Sequence, residues 1–429
     1  MKFHYLLLNV VPFLLLSFSS IAQKETPAFL PGDALPDAPE LAARGDYKVG
    51  VRTLKFVNKD QIDILNSKDG SDPLYDRPLT VEVWYPAQLS EGEEELVTYE
   101  EVMGTANNPM RPVLPFTFQG RAAREAKPLV NDTPYPFVIV SHGYVGSRFL
   151  MTYLTENLAS KGYIVVAIDH TESTFRDAAP FPSTLLNRSK DVLFILDQMA
   201  SSKHFLSSMI DVNNTAIIGY SMGGYGVLNV AGAGYSDKAV QLFGGMTQGS
   251  SALAVRGISN ENYRSGIDSR IKAVVAFAPW GMKHNVWDAE SLKSLKIPTF
   301  FVAGSEDDVS GYEDGIKAIY EGSVNVDRYL LTYKNARHNV APNPPPAATL
   351  KPGLHFDEYY RYAEPSWNEK RINNINQHFV TAFLGIHLKQ MDYSKYLDVQ
   401  ADSNEKNWTG FKPRSSTGLE LLHSKKAAE

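Results

Sequence analysis

The chain has 429 residues, of which 43% are apolar and 21% charged, and its formal net charge is −6. These values are typical of a globular protein, and the acidic balance excludes a basic nucleic-acid footprint or a polybasic membrane patch. The sequence contains no cysteine, which excludes disulfides, zinc–thiolate sites and a cysteine nucleophile.

The N-terminus has the pattern of an export signal. Lys2 supplies a short positive region, residues 6–18 are nearly all apolar, and Ser20 and Ala22 are small residues at the −3 and −1 positions of a cleavage site. The apolar run is shorter than the roughly 20 residues that span a bilayer. We expect residues 1–22 to be a cleaved signal peptide and the mature protein to be secreted or periplasmic, with no membrane span. An uncleaved anchor is the alternative.

The rest of the chain divides by composition. Residues 23–46 are rich in proline, alanine and acids and are predicted to be a loose leader. A single folded domain is expected over residues 47–392. Residues 393–429 are predicted to be a poorly ordered C-terminal tail, of which residues 393–399 can dock.

The predicted elements begin with two β-rich runs, residues 49–57 and 79–85, which suit an antiparallel pair at a sheet edge. Short apolar runs then alternate with helical segments, which predicts an α/β fold with a mainly parallel, doubly wound sheet and helices on both faces. The predicted strands are residues 137–140, 163–168, 215–219, 273–277, 299–303 and 329–332. The predicted helices are residues 150–161, 185–200, 222–231, 315–321 and 368–387.

Two segments are too long to be simple connections. Residues 232–269 are rich in glycine, serine and asparagine, and residues 340–365 are rich in proline. Loops of this length inside a compact domain commonly form lids or binding loops. We therefore predict two insertions, the first of them lid-like.

The strongest motif is Gly219-Tyr220-Ser221-Met222-Gly223, which matches G-x-S-x-G between a predicted strand and a predicted helix. This setting is typical of a nucleophile elbow, a tight turn that presents the serine oxygen at a helix N-terminus. Glycines at both ends let the turn close without a Cβ clash. The sequence thus predicts Ser221 as a nucleophile, and a glycine-rich structural turn is the alternative.

A serine nucleophile needs a base and an orienting acid, which follow the serine in chain order as acid and then histidine. Three carboxylates, Glu306, Asp307 and Asp308, follow the predicted strand 299–303, and any of them can be the acid. His338 is the first histidine after the last predicted strand, and His355 is its rival.

The other predicted site residues follow two further strands. Tyr144, after the strand 137–140, is expected to give one oxyanion-binding backbone N–H, and Met222 to give the second. His142 is expected to bond the backbone of the same loop. Trp280 follows the strand 273–277 and can cover an apolar part of a substrate; a core-edge tryptophan is the alternative.

Metal and nucleotide motifs are weak. No His-Glu-x-x-His, P-loop or G-x-G-x-x-G occurs, and the polar stretch 66–76 lacks the spacing of a calcium loop. We expect no metal and no cofactor.

With these motifs in place, the chain resembles the α/β-hydrolase superfamily, in particular serine esterases related to dienelactone hydrolase and platelet-activating-factor acetylhydrolase, and the cutinase and polyester-hydrolase branch. The resemblance covers about residues 49–389. It implies the α/β-hydrolase fold. It also implies that Asp307, in a G-x-x-D-x-V pattern, is the triad acid, and that Tyr144 and Trp280 contact substrate.

The expected function is hydrolysis of carboxylic esters, small or polymeric, by an exported enzyme with the triad Ser221, Asp307 and His338. Two other classes stay open: an amidase or peptidase with the same triad, and a non-catalytic binding protein on the same fold.

Overall fold

The computed structural model describes residues 29–201, 203–398 and 408–427. Within these ranges the chain forms an 11-stranded sheet with the strand order β13-β12-β11-β10-β9-β7-β8-β2-β1-β5, and β6 pairs with β2. Two further strands, β3 and β4, pair only with each other. The strands are β1 (Lys48–Ile62), β2 (Leu74–Gln88), β3 (Val97–Met103), β4 (Leu114–Gly120), β5 (Ala123–Arg124), β6 (Lys127–Pro128), β7 (Tyr135–Ser141), β8 (Ile164–Asp169), β9 (Ile210–Tyr220), β10 (Ile271–Phe277), β11 (Thr299–Gly304), β12 (Arg328–Tyr333) and β13 (Leu419–Ser424).

The centre of the sheet is parallel, from β8 through β7, β9, β10 and β11 to β12. These strands are buried along most of their length, as expected for a sheet covered on both faces. The predicted hairpin is present as β1 and β2, which pair antiparallel and join the sheet through β8. The prediction of an α/β fold with a mainly parallel sheet is confirmed.

The helices are α1 (Thr152–Ser160), α2 (Phe181–Ala200), α3 (Met222–Val230), α4 (Asp237–Met246), α5 (Glu261–Ser265), α6 (Ala289–Lys293), α7 (Ala318–Gly322), α8 (Phe356–Tyr360) and α9 (Glu369–Lys389). The chain moves in one direction across the sheet from β7 to β8 and in the other from β8 to β9. Right-handed crossovers therefore put α1 and α2 on opposite faces. In agreement, α1 packs with α9 and α2 packs with α3. No described helix is long and apolar enough to cross a membrane.

The leader is ordered from Phe29 onward, contrary to the expectation of a loose segment. Ala42 is fully buried, and its carbonyl accepts a hydrogen bond from the Asn157 side chain at 2.9 Å. The Leu35 N–H donates to the Asn374 side chain at 2.9 Å. Polar side chains on α1 and α9 thus satisfy the backbone of a segment that has no periodicity of its own. The predicted signal peptide, residues 1–22, lies outside the described residues.

The C-terminal tail also departs from its expected disorder. Residues 419–424 form β13, which pairs antiparallel with β12 and buries Leu419 and Leu421. Residues 394–397 form a short helical turn with Tyr396 buried. The tail covers the edge of β12, which would otherwise expose unpaired backbone groups.

The insertion 232–269 contains α4 and α5. Tyr235 stacks on Tyr225 of α3, with ring centroids 5.0 Å apart, and Arg256 donates to the Asn229 side chain at 2.5 Å. These contacts anchor the insertion beside the middle and C-terminal end of α3. A lid function for this segment stays a prediction.

Candidate active site

The predicted site residues follow strands that end at one edge of the sheet. Because β7, β9, β10, β11 and β12 run parallel in adjacent positions, their C-terminal ends meet there. In open α/β sheets this edge is where ligands bind. The loops that carry Tyr144, Ser221, Trp280, Asp307 and His338 all leave from it.

Ser221 lies in a strained turn between β9 and α3. Its φ is 54° and its ψ is −112°, a region that residues with a Cβ rarely adopt. The flanking glycines are required by close packing. A Cβ on Gly219 would lie 2.2 Å from the Gly223 carbonyl oxygen, and one on Gly223 would lie 2.0 Å from the Ser141 carbonyl oxygen. The turn therefore has the geometry expected of a nucleophile elbow.

A chain of hydrogen bonds joins Ser221, His338 and Asp307. The distance from His338 Nε2 to Ser221 Oγ is 3.0 Å, and that from His338 Nδ1 to Asp307 Oδ2 is 2.8 Å. The three residues are 7%, 9% and 6% exposed, respectively. These distances suit proton transfer from the serine to the ring and orientation of the ring by the carboxylate.

Of the three candidate carboxylates, Asp307 is the one bonded to His338. Its second oxygen accepts the backbone N–H groups of Val309 at 2.9 Å and Ser310 at 2.7 Å. Burial acts to raise the pKa of Asp307, but His338 and these two N–H groups outweigh it and hold the pKa below its usual value. Glu306 is exposed, and Asp308 is also exposed and pairs with Arg337 at 3.1 Å.

The two candidate histidines are in different settings. The ring of His338 packs against Tyr220, with ring centroids 5.3 Å apart. The Tyr220 hydroxyl donates to the Asn339 side chain at 2.9 Å. This hydrogen bond holds the Tyr220 ring against the imidazole of His338. His355 instead caps the N-terminus of α8, where its Nδ1 accepts the Asp357 N–H at 3.2 Å.

The two predicted oxyanion donors have unengaged backbone amides. Within the described residues, no acceptor is hydrogen-bonded to the N–H of Tyr144 or of Met222. Met222 is the first residue of α3, where N–H groups have no partner inside the helix. Both amides are therefore available to a developing negative charge beside Ser221.

Aromatic rings lie close to Ser221, whose backbone carbonyl accepts the Trp280 N–H at 3.1 Å. Phe181, at the start of α2, contacts the ring of Tyr144 edge-on at 5.4 Å and that of Trp280 edge-on at 5.1 Å. On its other side Trp280 stacks on His284 at 4.5 Å. Sequence reasoning missed Phe181, although its place shortly after the C-terminal end of β8 is a signal that could have found it.

The described part of the chain holds no group of three or more His, Asp or Glu side chains that could bind a metal ion.

Several known proteins and protein families resemble this chain in sequence or in fold. A family model described as PET hydrolase-like matches residues 128–247, and one described as platelet-activating factor acetylhydrolase, isoform II, matches residues 44–182. A solved structure of a ferulic acid esterase from Streptomyces cinnamoneus superposes with a TM-score of 0.54 at 20% identity, covering 82% of this chain and 94% of the other. This chain has the α/β-hydrolase fold.

Curated relatives of this chain include three cutinases that are each 25% identical to it. Cutinase est1 of Thermobifida alba matches over 217 residues, which is 50% of this chain and 57% of the relative. Cutinase 2 of Thermobifida cellulosilytica and cutinase cut1 of Thermobifida fusca each match over 219 residues, 51% of this chain and 65% and 53% of the relative, respectively. The match thus spans between about half and two thirds of the relatives' length. The predicted resemblance to the superfamily and to its cutinase branch is confirmed.

Proposed function

We propose that the protein is an exported serine hydrolase that cleaves carboxylic esters. The observation that carries the proposal is the hydrogen-bonded chain Ser221–His338–Asp307, with its serine in a strained turn at the sheet edge. The similarity to cutinases and to a ferulic acid esterase supports an ester, rather than another acyl compound, as the substrate.

In the first half of the reaction, Ser221 Oγ attacks the ester carbonyl carbon while its proton passes to His338 Nε2. Asp307 holds the proton on Nδ1, so that Nε2 is free to accept, and it stabilises the imidazolium that forms. The carbonyl oxygen becomes negative and is bound by the N–H groups of Tyr144 and Met222. His338 then gives its proton to the leaving alcohol, and an acyl-enzyme remains.

In the second half, His338 takes a proton from water, and the resulting hydroxide attacks the acyl carbon. The second tetrahedral intermediate uses the same two N–H groups. Its collapse releases the carboxylic acid and returns the proton from His338 to Ser221 Oγ. Trp280 and Tyr144, with Phe181 between their rings, contact the apolar part of the substrate.

The test is hydrolysis of 4-nitrophenyl esters from acetate to decanoate by the mature protein, residues 23–429, and by Ser221→Ala. We expect Ser221-dependent turnover, with kcat lowered at least about 1,000-fold in the variant. A fluorophosphonate should label Ser221 of the wild type. Comparing each ester with its matched amide separates an esterase from an amidase. Folded wild-type protein that hydrolyses no ester in the series contradicts the proposal.

A further inference from the structure

A buried arginine lies behind the loop that carries the Tyr144 amide. Arg188, on α2, is 1% exposed. Its guanidinium donates to the carbonyl oxygens of both His142 and Gly143, the latter at 3.0 Å. It also donates to Ser173 Oγ at 2.5 Å. Arg188 therefore hydrogen-bonds to the two successive backbone carbonyls that precede Tyr144.

The Gly143 carbonyl has a second donor, the ring of His142. The His142 Nε2 accepts the backbone N–H of His170 at 3.2 Å. Burial, assisted by Arg188, lowers the pKa of His142 well below its usual value, so the ring is neutral and its single proton lies on Nδ1. That N–H donates to the Gly143 oxygen at 2.6 Å. One carbonyl thus accepts two hydrogen bonds, one of them from a cation.

These bonds act directly on the Tyr144 N–H. The Gly143 C=O and the Tyr144 N–H belong to the same planar peptide unit, so fixing the direction of one fixes that of the other. In a trans peptide they point in opposite directions. A cation on the oxygen side also polarises the unit and makes its N–H a stronger donor.

Asp191, on the same helix, favours the charged form of Arg188, and Arg77 opposes it. Asp191, on the same face one turn later, accepts hydrogen bonds from Arg77 at 2.9 and 3.0 Å and from His170 at 2.9 Å. Burial lowers the pKa of Arg188 to about 9 while Asp191 acts in the opposite direction. The side chain stays a cation at neutral pH, and its charge is directed at the loop.

We infer that Arg188 is a positioning residue for the oxyanion hole: it orients and polarises the Gly143–Tyr144 peptide so that the Tyr144 N–H binds the negative oxygen. The inference rests on the proposed esterase function. It extends that function to a side chain that lies behind the loop.

The test compares 4-nitrophenyl butyrate with its thiono analogue, in which sulfur replaces the carbonyl oxygen. Sulfur is a weaker hydrogen-bond acceptor, so hydrolysis of the thionoester depends less on the oxyanion donors. We expect Arg188→Met to lower kcat/KM for the oxoester about 10- to 100-fold, mainly through kcat. The thionoester should lose less than about threefold. Arg188→Lys keeps the positive charge but lacks the planar guanidinium that donates to two acceptors at once. Its kcat/KM for the oxoester should lie between those of the wild type and Arg188→Met.

Arg328→Met is the matched control. Arg328 is also buried and donates to two backbone carbonyls, those of Tyr320 and Val326, but it lies at β12 far along the chain from the oxyanion loop. The ratio of its kcat/KM for the oxoester to its kcat/KM for the thionoester should equal that of the wild type.

An equal loss on both esters in the Arg188 variants, or no loss, overturns the inference while Ser221-dependent turnover by the wild type keeps the esterase proposal. If Arg188→Met does not fold, the ratio in Arg188→Lys decides. A wild type that hydrolyses no 4-nitrophenyl ester from acetate to decanoate overturns both proposals.

Discussion

The described part of the chain contains two Ser–His–Asp arrangements with nearly the same distances. Beside Ser221–His338–Asp307 stands Ser141–His170–Asp191, in which His170 Nε2 lies 2.8 Å from Ser141 Oγ and His170 Nδ1 lies 2.9 Å from Asp191 Oδ2. Measured by distances alone, the second set is as well formed as the first. What separates them is their surroundings.

Ser141 is completely buried and is the last residue of β7, paired with both neighbouring strands. No substrate reaches its oxygen, and its backbone is that of an ordinary strand. Its aspartate is held on both oxygens by Arg77. Ser221, by contrast, projects from a strained turn beside two unengaged amides. Access, backbone strain and unengaged backbone amides therefore distinguish Ser221–His338–Asp307 from the buried set.

The largest expected effect on turnover comes from substituting Asp307, with the neighbouring Asp308 as the control. Asp307→Asn keeps the shape of the side chain but cannot hold the His338 proton on Nδ1, so kcat should fall about 100- to 10,000-fold. Asp308→Asn, one residue further on at an exposed ion pair, is the control and should stay within twofold of the wild type in ester assays. A loss below tenfold in Asp307→Asn would show that another group orients the ring.

The buried set should reveal itself through acid sensitivity. Burial, together with Arg188, lowers the pKa of His170 from 6.5 to about 4. A folded-state pKa below the unfolded value means that the unfolded chain takes up the proton first. The contribution of neutral His170 to the free energy of unfolding is therefore complete above pH 6.5 and is lost as the pH falls toward 4.

Urea unfolding of wild type and His170→Gln at pH 7, 5.5 and 4 measures this loss. The stability advantage of the wild type should shrink by about 1–3 kcal/mol across that range. A stability gap that stays constant with pH would contradict the assignment of a neutral, buried His170.

A smaller effect is expected at the aromatic rings of Phe181, Tyr144 and Trp280. Phe181→Ala removes the ring between Tyr144 and Trp280 and widens the space for an acyl chain. The decanoate-to-acetate ratio of kcat/KM should rise about 3- to 10-fold. Phe205→Ala, at a ring that packs on Tyr85, is the matched control. An unchanged chain-length profile would show that Phe181 does not border the acyl site.

The smallest effect should come from the buried serine. Ser141→Ala removes the hydrogen bond to His170 at 2.8 Å and a longer one from Arg188 at 3.5 Å, and should cost about 1–2 kcal/mol of unfolding free energy. Its kcat/KM for esters should change less than threefold, and the fluorophosphonate should still label Ser221. A loss of turnover comparable to that of Ser221→Ala would show that the two sets act together.

Much of the fold could be predicted from the sequence, because each central strand is a run of apolar residues between helix-forming segments. Residues 215–219 and 299–303, for example, lie within β9 and β11. The ordered structure of the leader and of β13 could not be predicted from the sequence. Their order depends on partners far away in sequence, such as Asn374 for Leu35 and β12 for β13, and no local pattern encodes such partners.

The parallel core and the elbow at Ser221 could be predicted from the chain alone, because apolar periodicity and the steric demands of glycine are local properties of the chain. The three-dimensional packing was needed to show which of three adjacent carboxylates is bonded to His338, which of two serines can be reached, and that Phe181 lies between Tyr144 and Trp280. Those choices depend on the direction of each side chain once the strands are in register, and neighbouring residues of one loop point in different directions.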